Sequence, residues 1–165
     1  MTAPAPVKQM TRPTATIDVA ASPVAVFAVI ADPRTYPDWL VGAQKIRRVD
    51  DGWPAVGTSF HHRVGVGPLR IDDRTTVLAH DPPEVFRLEA HIGVFGSAEV
   101  TFRVEPGESP GTSRVELTEV PRSGVVRFGW RTLGRAWLAL GLWGRNQVAL
   151  DQLRELLESR PPAGD

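Results

Sequence analysis

The feature that most constrains the fold is a series of short segments, spread over residues 44–120, most of which alternate apolar and polar residues. In one of them Phe60, His62 and Val64 alternate with polar neighbours, as on a strand with one buried face. Glycine and proline fall mostly between the segments, where turns belong. Six consecutive strands with short connections predict an antiparallel meander. The predicted strands are Gln44–Asp50, Thr58–Val66, Arg74–His80, Val85–Ile92, Ala98–Val104 and Ser113–Val120.

Another strand and two short helices precede this meander. Thr14–Val19 alternates strictly and is the first predicted strand. Ser22 followed by Pro23 is a typical helix start, because serine caps the first turn and proline needs no hydrogen-bond acceptor there. The sequence therefore predicts a helix over Val24–Ala31 and a second, short one over Tyr36–Leu40.

The chain ends in a long predicted helix, Arg127–Ser159. Its second half is amphipathic, whereas its first half is rich in tryptophan and leucine and is weakened by Gly134, Gly141 and Gly144. An antiparallel sheet with one apolar face must cover that face, and this helix is the one long amphipathic element available. We therefore predict an α+β fold in which a curved seven-stranded antiparallel sheet wraps around the C-terminal helix. Such a sheet curls, and one helix cannot fill the whole concavity, so the remaining space is either plugged by large side chains or left as a cavity; the glycines that thin the helix favour a cavity.

Length and composition limit the classes of function. The 165 residues fit a single domain, which we place at residues 14–160 after a disordered tail at 1–13 that lacks the apolar run of a signal peptide. Nineteen basic and nineteen acidic residues cancel, so no net field attracts nucleic acid. The absence of cysteine excludes thiolate catalysis and cysteine-based metal centres. No apolar run is long enough to cross a bilayer, and we expect a soluble, cytoplasmic protein.

The order of elements and several short motifs resemble the START-like or SRPBCC superfamily, the helix-grip fold of the birch-pollen allergen and of polyketide cyclase/dehydrase-type proteins. The resemblance covers Thr14 to about Ser159 and implies a ligand cavity between the sheet and the last helix. The superfamily includes lipid carriers, cyclases and hydrolase-like members, so the resemblance specifies the fold more sharply than the activity. The motifs that carry it are Ile17-Asp18-Val19, Ser22 to Phe27, Ile30 to Pro33, Tyr36 to Leu40, and Asp81-Pro82-Pro83 before Phe86-Arg87-Leu88.

Two polar residues are candidates for acid–base chemistry. His62 shares the apolar side of its strand, where it could orient a ligand or move a proton, although a neighbouring hydroxyl or water would satisfy it equally well. Glu119 follows the same alternation and would have a raised pKa if buried, but its position at a strand end favours surface exposure. We find no catalytic constellation: no metal-ligand spacing, no serine nucleophile motif and no phosphate-binding loop. No metal and no cofactor are expected.

The tryptophans are the other candidates. In the superfamily the region of Trp39 lies near the pocket entrance and the start of the last helix lines the cavity, so the resemblance implies that Trp39 and Trp137 contact the ligand, although Trp137 could equally plug the core. Trp130 and Trp143 cannot both share the face of Trp137, which suggests contact with a membrane surface or a second copy of the chain. The full set of predicted ligand contacts is Trp39, Phe60, His62, Leu88, Phe102, Leu117 and Trp137.

These observations favour a protein that binds a small apolar or aromatic molecule, of lipid, polyketide or isoprenoid type, in the cavity between sheet and helix. The alternative is a polyketide cyclase, aromatase or dehydratase that uses His62 for acid–base catalysis in the same cavity. A third hypothesis is delivery of a lipid to a membrane through Trp130 and Trp143.

Overall fold

A computed structural model describes residues 14–41, 43–66, 69–91, 96–123 and 135–159 of the chain. Within these ranges, side chains are described everywhere except at residues 44, 64–66, 69–72 and 135–143. The predicted tail at residues 1–13 lies outside the described residues, and so does the predicted helix start at residues 127–134.

The first strand and the short helices form where the sequence predicts them. Strand β1 is Thr14–Val19, and helix α1 is Pro23–Ala31, capped by the Ser22 hydroxyl, which accepts a hydrogen bond from a first-turn backbone N–H. A single 3₁₀ turn, Pro33–Thr35, leads into the one-turn helix α2, Tyr36–Trp39.

The remaining strands complete a single seven-stranded sheet in the order β1-β7-β6-β5-β4-β3-β2, in which every neighbouring pair is antiparallel. The first strand therefore pairs with the last, and β2 forms the opposite edge. These findings confirm the predicted helix-grip architecture. The strands are β2 Ala43–Val49, β3 Ser59–Val66, β4 Leu69–Asp81, β5 Val85–His91, β6 Ser97–Pro106 and β7 Ser113–Pro121.

The C-terminal helix α3, Arg135–Glu158, covers the concave face of the sheet and packs mainly on β1 and α2. Its buried residues lie on one face, because they follow the three- and four-residue spacing of a helix: Asn146, Ala149 with Leu150, Leu153 and Leu157. Among the described residues no helix is both long and apolar enough to cross a membrane.

One strand is longer than the alternation predicts. We placed the start of β4 at Arg74, but the strand begins at Leu69 and pairs with β3 from Leu69 to Thr76. The charged residues Arg70, Asp72 and Asp73 hide the period-two pattern there, because a carboxylate, Asp73, occupies a buried position.

Candidate functional site

One end of the concave face is filled by aromatic side chains. Tyr36 of α2 meets Phe60 edge to face with ring centroids 5.1 Å apart, and Trp39 meets Phe102 in the same way at 5.9 Å. The Trp39 indole N–H donates to the hydroxyl of Thr35 at 3.0 Å. This cluster anchors the short helices to the sheet.

Five of the predicted ligand contacts belong to this packed region, and each is 2% exposed or less. In this structure they contact other protein atoms, and their contact with a ligand stays a prediction. Trp137 lies in the first turn of α3, but its side chain is outside the described part, as are Trp130 and the side chain of Trp143. The five residues are Trp39, Phe60, Leu88, Phe102 and Leu117.

His62 lies next to this cluster on the concave side of β3, as the alternation predicts, and is 5% exposed. Its Nε2 is hydrogen-bonded to the hydroxyl of Thr75 on β4 at 3.1 Å. Its Nδ1 is buried and has no hydrogen-bond partner among the described residues. The Thr75 hydroxyl thus satisfies Nε2 and leaves Nδ1 able to form a hydrogen bond with a ligand.

Asp73 stands directly opposite His62 in the pairing of β3 with β4 and is 7% exposed. One carboxylate oxygen accepts the backbone N–H of Arg74 at 2.6 Å, and the other lies 3.9 Å from Nε2 of His62. That separation exceeds a hydrogen bond. Sequence reasoning missed Asp73 because it placed this residue outside a strand.

Burial shifts the pKa values of this pair in opposite directions. It raises the pKa of the Asp73 carboxyl from 3.8 to about 6, although the Arg74 backbone N–H and guanidinium oppose the change. It lowers the pKa of His62 from 6.5 to about 4, and the charge of His61 adds to this effect. At neutral pH His62 is therefore uncharged and Asp73 ionised, so the pair is not a salt bridge.

Glu119 on β7 also points into the concave side, across from Val100 of β6. We expected it at the surface, but it is only 5% exposed, and this expectation was wrong. The pleat of β7 continues through Pro121, and the Arg145 guanidinium of α3 donates a hydrogen bond to the Glu119 carboxylate and compensates its charge.

Asn146 adds a second unpartnered atom from the helix side. Its side-chain oxygen accepts a hydrogen bond from Arg145 at 3.3 Å, and a guanidinium can only donate, so the orientation of the amide is fixed. Within the described part of the chain the amide nitrogen Nδ2 then has no hydrogen-bond partner, although the residue is 1% exposed. Partly exposed apolar residues, Ala90 and Val100, lie on the same face of the sheet, on the strands between Thr75 and Glu119.

A separate cleft of about 480 Å³ lies between the end of α1 and the loop that joins β2 to β3. Trp53 forms part of its wall, donates its indole N–H to the carbonyl of Ala31 at 2.7 Å, and packs edge to face on Phe60 and Phe86. Sequence analysis overlooked Trp53, whose proline-containing loop carries no periodic signal. Among the described residues no cluster of three or more His, Asp or Glu could hold a metal ion.

The family profile described as "Polyketide cyclase / dehydrase and lipid transport" matches residues 10–158. The chain belongs to this family. The match spans every described strand and helix of the chain, and so agrees with the resemblance noted in its sequence. No curated protein matches the chain.

Solved structures share the family member's fold at low sequence identity. The KanY protein is 21% identical, with a TM-score of 0.62 over 90% of this chain and 98% of its own. A conserved protein from Geobacillus kaustophilus is 14% identical, with a TM-score of 0.68 over 88% and 93%. TTHA0849 from Thermus thermophilus is 18% identical, with a TM-score of 0.67 over 88% and 96%. At such identities the likeness extends to the fold alone.

Proposed function

We propose that this protein binds a small apolar or aromatic molecule, of lipid, polyketide or isoprenoid type, between the concave face of the sheet and α3. The observation that carries the proposal is the pair of buried, unpartnered polar atoms, Nδ1 of His62 and Nδ2 of Asn146, on an otherwise largely apolar surface. Leaving such an atom unsatisfied costs about 1–3 kcal/mol. Buried polar atoms normally have a partner from the protein, from water or from a ligand, and a ligand that supplies the missing partners recovers the energy.

The surroundings of these atoms suit a ligand of this class. Ala90 and Val100 leave partly exposed apolar surface on the same face, which a hydrocarbon or aromatic body can cover. The family description, which includes lipid transport, supports the same class of ligand.

Native mass spectrometry of gently purified protein, before and after solvent extraction, tests the proposal. We expect a bound mass that extraction removes, and saturable binding of the neutral fluorescent probe N-phenyl-1-naphthylamine by the extracted protein. The substitution Val100→Trp should fill the partly open apolar surface and weaken probe binding at least tenfold, whereas Val148→Trp, on the exposed side of α3, should leave it unchanged. Absence of both a removable mass and saturable probe binding would refute the proposal.

A second candidate function, acid–base catalysis of cyclisation with loss of water, is favoured by the opposite pKa shifts of His62 and Asp73. A neutral imidazole can accept a proton from carbon, and a carboxyl that stays protonated to about pH 6 can donate one to a leaving hydroxyl. The substitution His62→Ala separates the two functions. If the protein is an enzyme, it consumes a poly-β-keto thioester and His62→Ala abolishes that turnover. If it is a carrier, neither protein consumes the compound, and the variant loses only the part of the affinity that the His62 hydrogen bond supplies.

A further inference from the structure

The chemistry of the buried polar atoms indicates which kind of ligand the site accepts. We propose that the ligand is a neutral apolar molecule that carries a hydroxyl or carbonyl oxygen, and that the site rejects carboxylates such as fatty acid anions. This inference rests on the proposed function and narrows it.

The requirement for oxygen follows from what each unpartnered atom can do. Nδ2 of Asn146 is only a donor and therefore needs an acceptor, which a hydroxyl or carbonyl oxygen provides. Nδ1 of His62 donates in one tautomer and accepts in the other, and the Thr75 hydroxyl on Nε2 can rotate to support either. A ligand hydroxyl can therefore form a hydrogen bond with either tautomer of His62. A ligand carbonyl can do so only with the tautomer whose Nδ1 carries the proton.

The requirement for neutrality follows from the charges on this face. Asp73 is 7% exposed and brings a negative charge directly opposite His62, which is itself uncharged at neutral pH. The described cation that faces the site, Arg145, is already bound to Glu119 and Asn146. A ligand carboxylate near His62 would therefore meet the charge of Asp73. Arg74, the cation that acts on Asp73, is exposed and alternates to the other face of β4, and burying two like charges together is strongly unfavourable.

Three naphthalene probes of nearly equal size separate these effects: 2-naphthol, 2-naphthoate and 2-methylnaphthalene. We expect wild-type protein at pH 7.5 to bind 2-naphthol at least tenfold more tightly than 2-methylnaphthalene, since one recovered hydrogen bond is worth about 1.4 kcal/mol. We expect 2-naphthoate to bind more weakly than either. Isothermal titration calorimetry measures all three affinities.

Single-residue variants show which side chain causes each difference in affinity among the three probes. Asp73→Asn removes the negative charge and should raise the affinity for 2-naphthoate, relative to that for 2-methylnaphthalene in the same variant, at least tenfold. Asp81→Asn, on the exposed end of the same strand, is the matched control and should change neither. His62→Phe and Asn146→Leu should each reduce the advantage of 2-naphthol over 2-methylnaphthalene, and His62→Gln replaces His62→Phe if the latter fails to fold.

The outcomes distinguish this inference from the proposed function. If the methyl compound binds as tightly as the naphthol, or if the naphthoate binds best, the inference is wrong although a ligand site exists. If Asp73→Asn leaves the rejection of naphthoate intact, the charge argument is wrong. If none of the three probes binds and N-phenyl-1-naphthylamine does not bind either, the proposed function itself fails.

Discussion

The buried pair of His62 and Asp73 leads to an unusual prediction about stability and pH. The folded-state pKa of Asp73 is raised, so its charge destabilises the fold above about pH 6, and the penalty disappears as the pH falls towards 3.8. The folded-state pKa of His62 is lowered, so its penalty appears only as the pH falls from 6.5 towards 4. The two effects oppose each other over the same pH range, and in the wild-type protein they nearly cancel.

Single substitutions should expose each effect separately. A tenfold change in proton affinity is worth about 1.36 kcal/mol, so each of the two pKa changes alters the free energy of unfolding by about 3 kcal/mol. Because both groups stay partly hydrated, we reduce this figure to about 2 kcal/mol. Asp73→Asn leaves the His62 effect alone, so this variant should lose about 2 kcal/mol of stability between pH 7 and pH 4. His62→Gln keeps an amide for the Thr75 hydroxyl but does not titrate, so this variant should gain about 2 kcal/mol over the same interval.

Urea unfolding at four pH values, with the free energy of unfolding referred to the double variant, measures these slopes. Comparison with the double variant cancels the contribution of every other titrating group. Parallel pH profiles for the two single variants would refute the assignment of a raised pKa to Asp73 and a lowered pKa to His62. The matching substitution Asp81→Asn should leave the wild-type profile unchanged.

Three further predictions concern single contacts. Arg145→Met leaves the Glu119 carboxylate buried without its counterion, and we expect a loss of about 2 kcal/mol in the free energy of unfolding at pH 7, which urea unfolding measures. Ser22→Ala removes the cap of α1 and should cost about 1 kcal/mol, seen as a lower Tm without loss of probe binding. If the chain catalyses dehydration with His62 as base and Asp73 as acid, kcat/KM should peak between about pH 4 and pH 6, and a plateau extending above pH 7 would exclude those roles.

The sequence was most informative where local rules decide the structure. Strict alternation identified Thr14–Val19 to the residue, and the cap at Ser22 placed α1 within one position. It was least informative where distant residues compensate one another. Glu119 is buried because Arg145, on another element, neutralises it, and nothing near Glu119 in the chain signals that partner.

In the candidate site, too, local patterns predicted the position of a residue but not the distant residues that it contacts. Alternation placed His62 on the concave side, but the significance of that position depends on neighbours that strand pairing brings together. Asp73 and Thr75 approach His62 only because β4 runs back along β3, and Arg145, from the far end of the chain, meets Glu119. Register between strands, which the hydrophobic pattern alone did not specify here, determines which polar groups meet.

The pairing of β1 with β7 has a consequence for how the chain acquires its structure. Thr14 lies opposite Thr118, so the N-terminal strand cannot be completed until about a hundred residues more have been synthesised. The meander from β2 to β7 can form from neighbours in sequence, whereas β1 and α3, which pack on each other, must join it last. On the ribosome the inner surface would stay open until then, and an apolar compound present at that stage could be enclosed as the final helix settles into place.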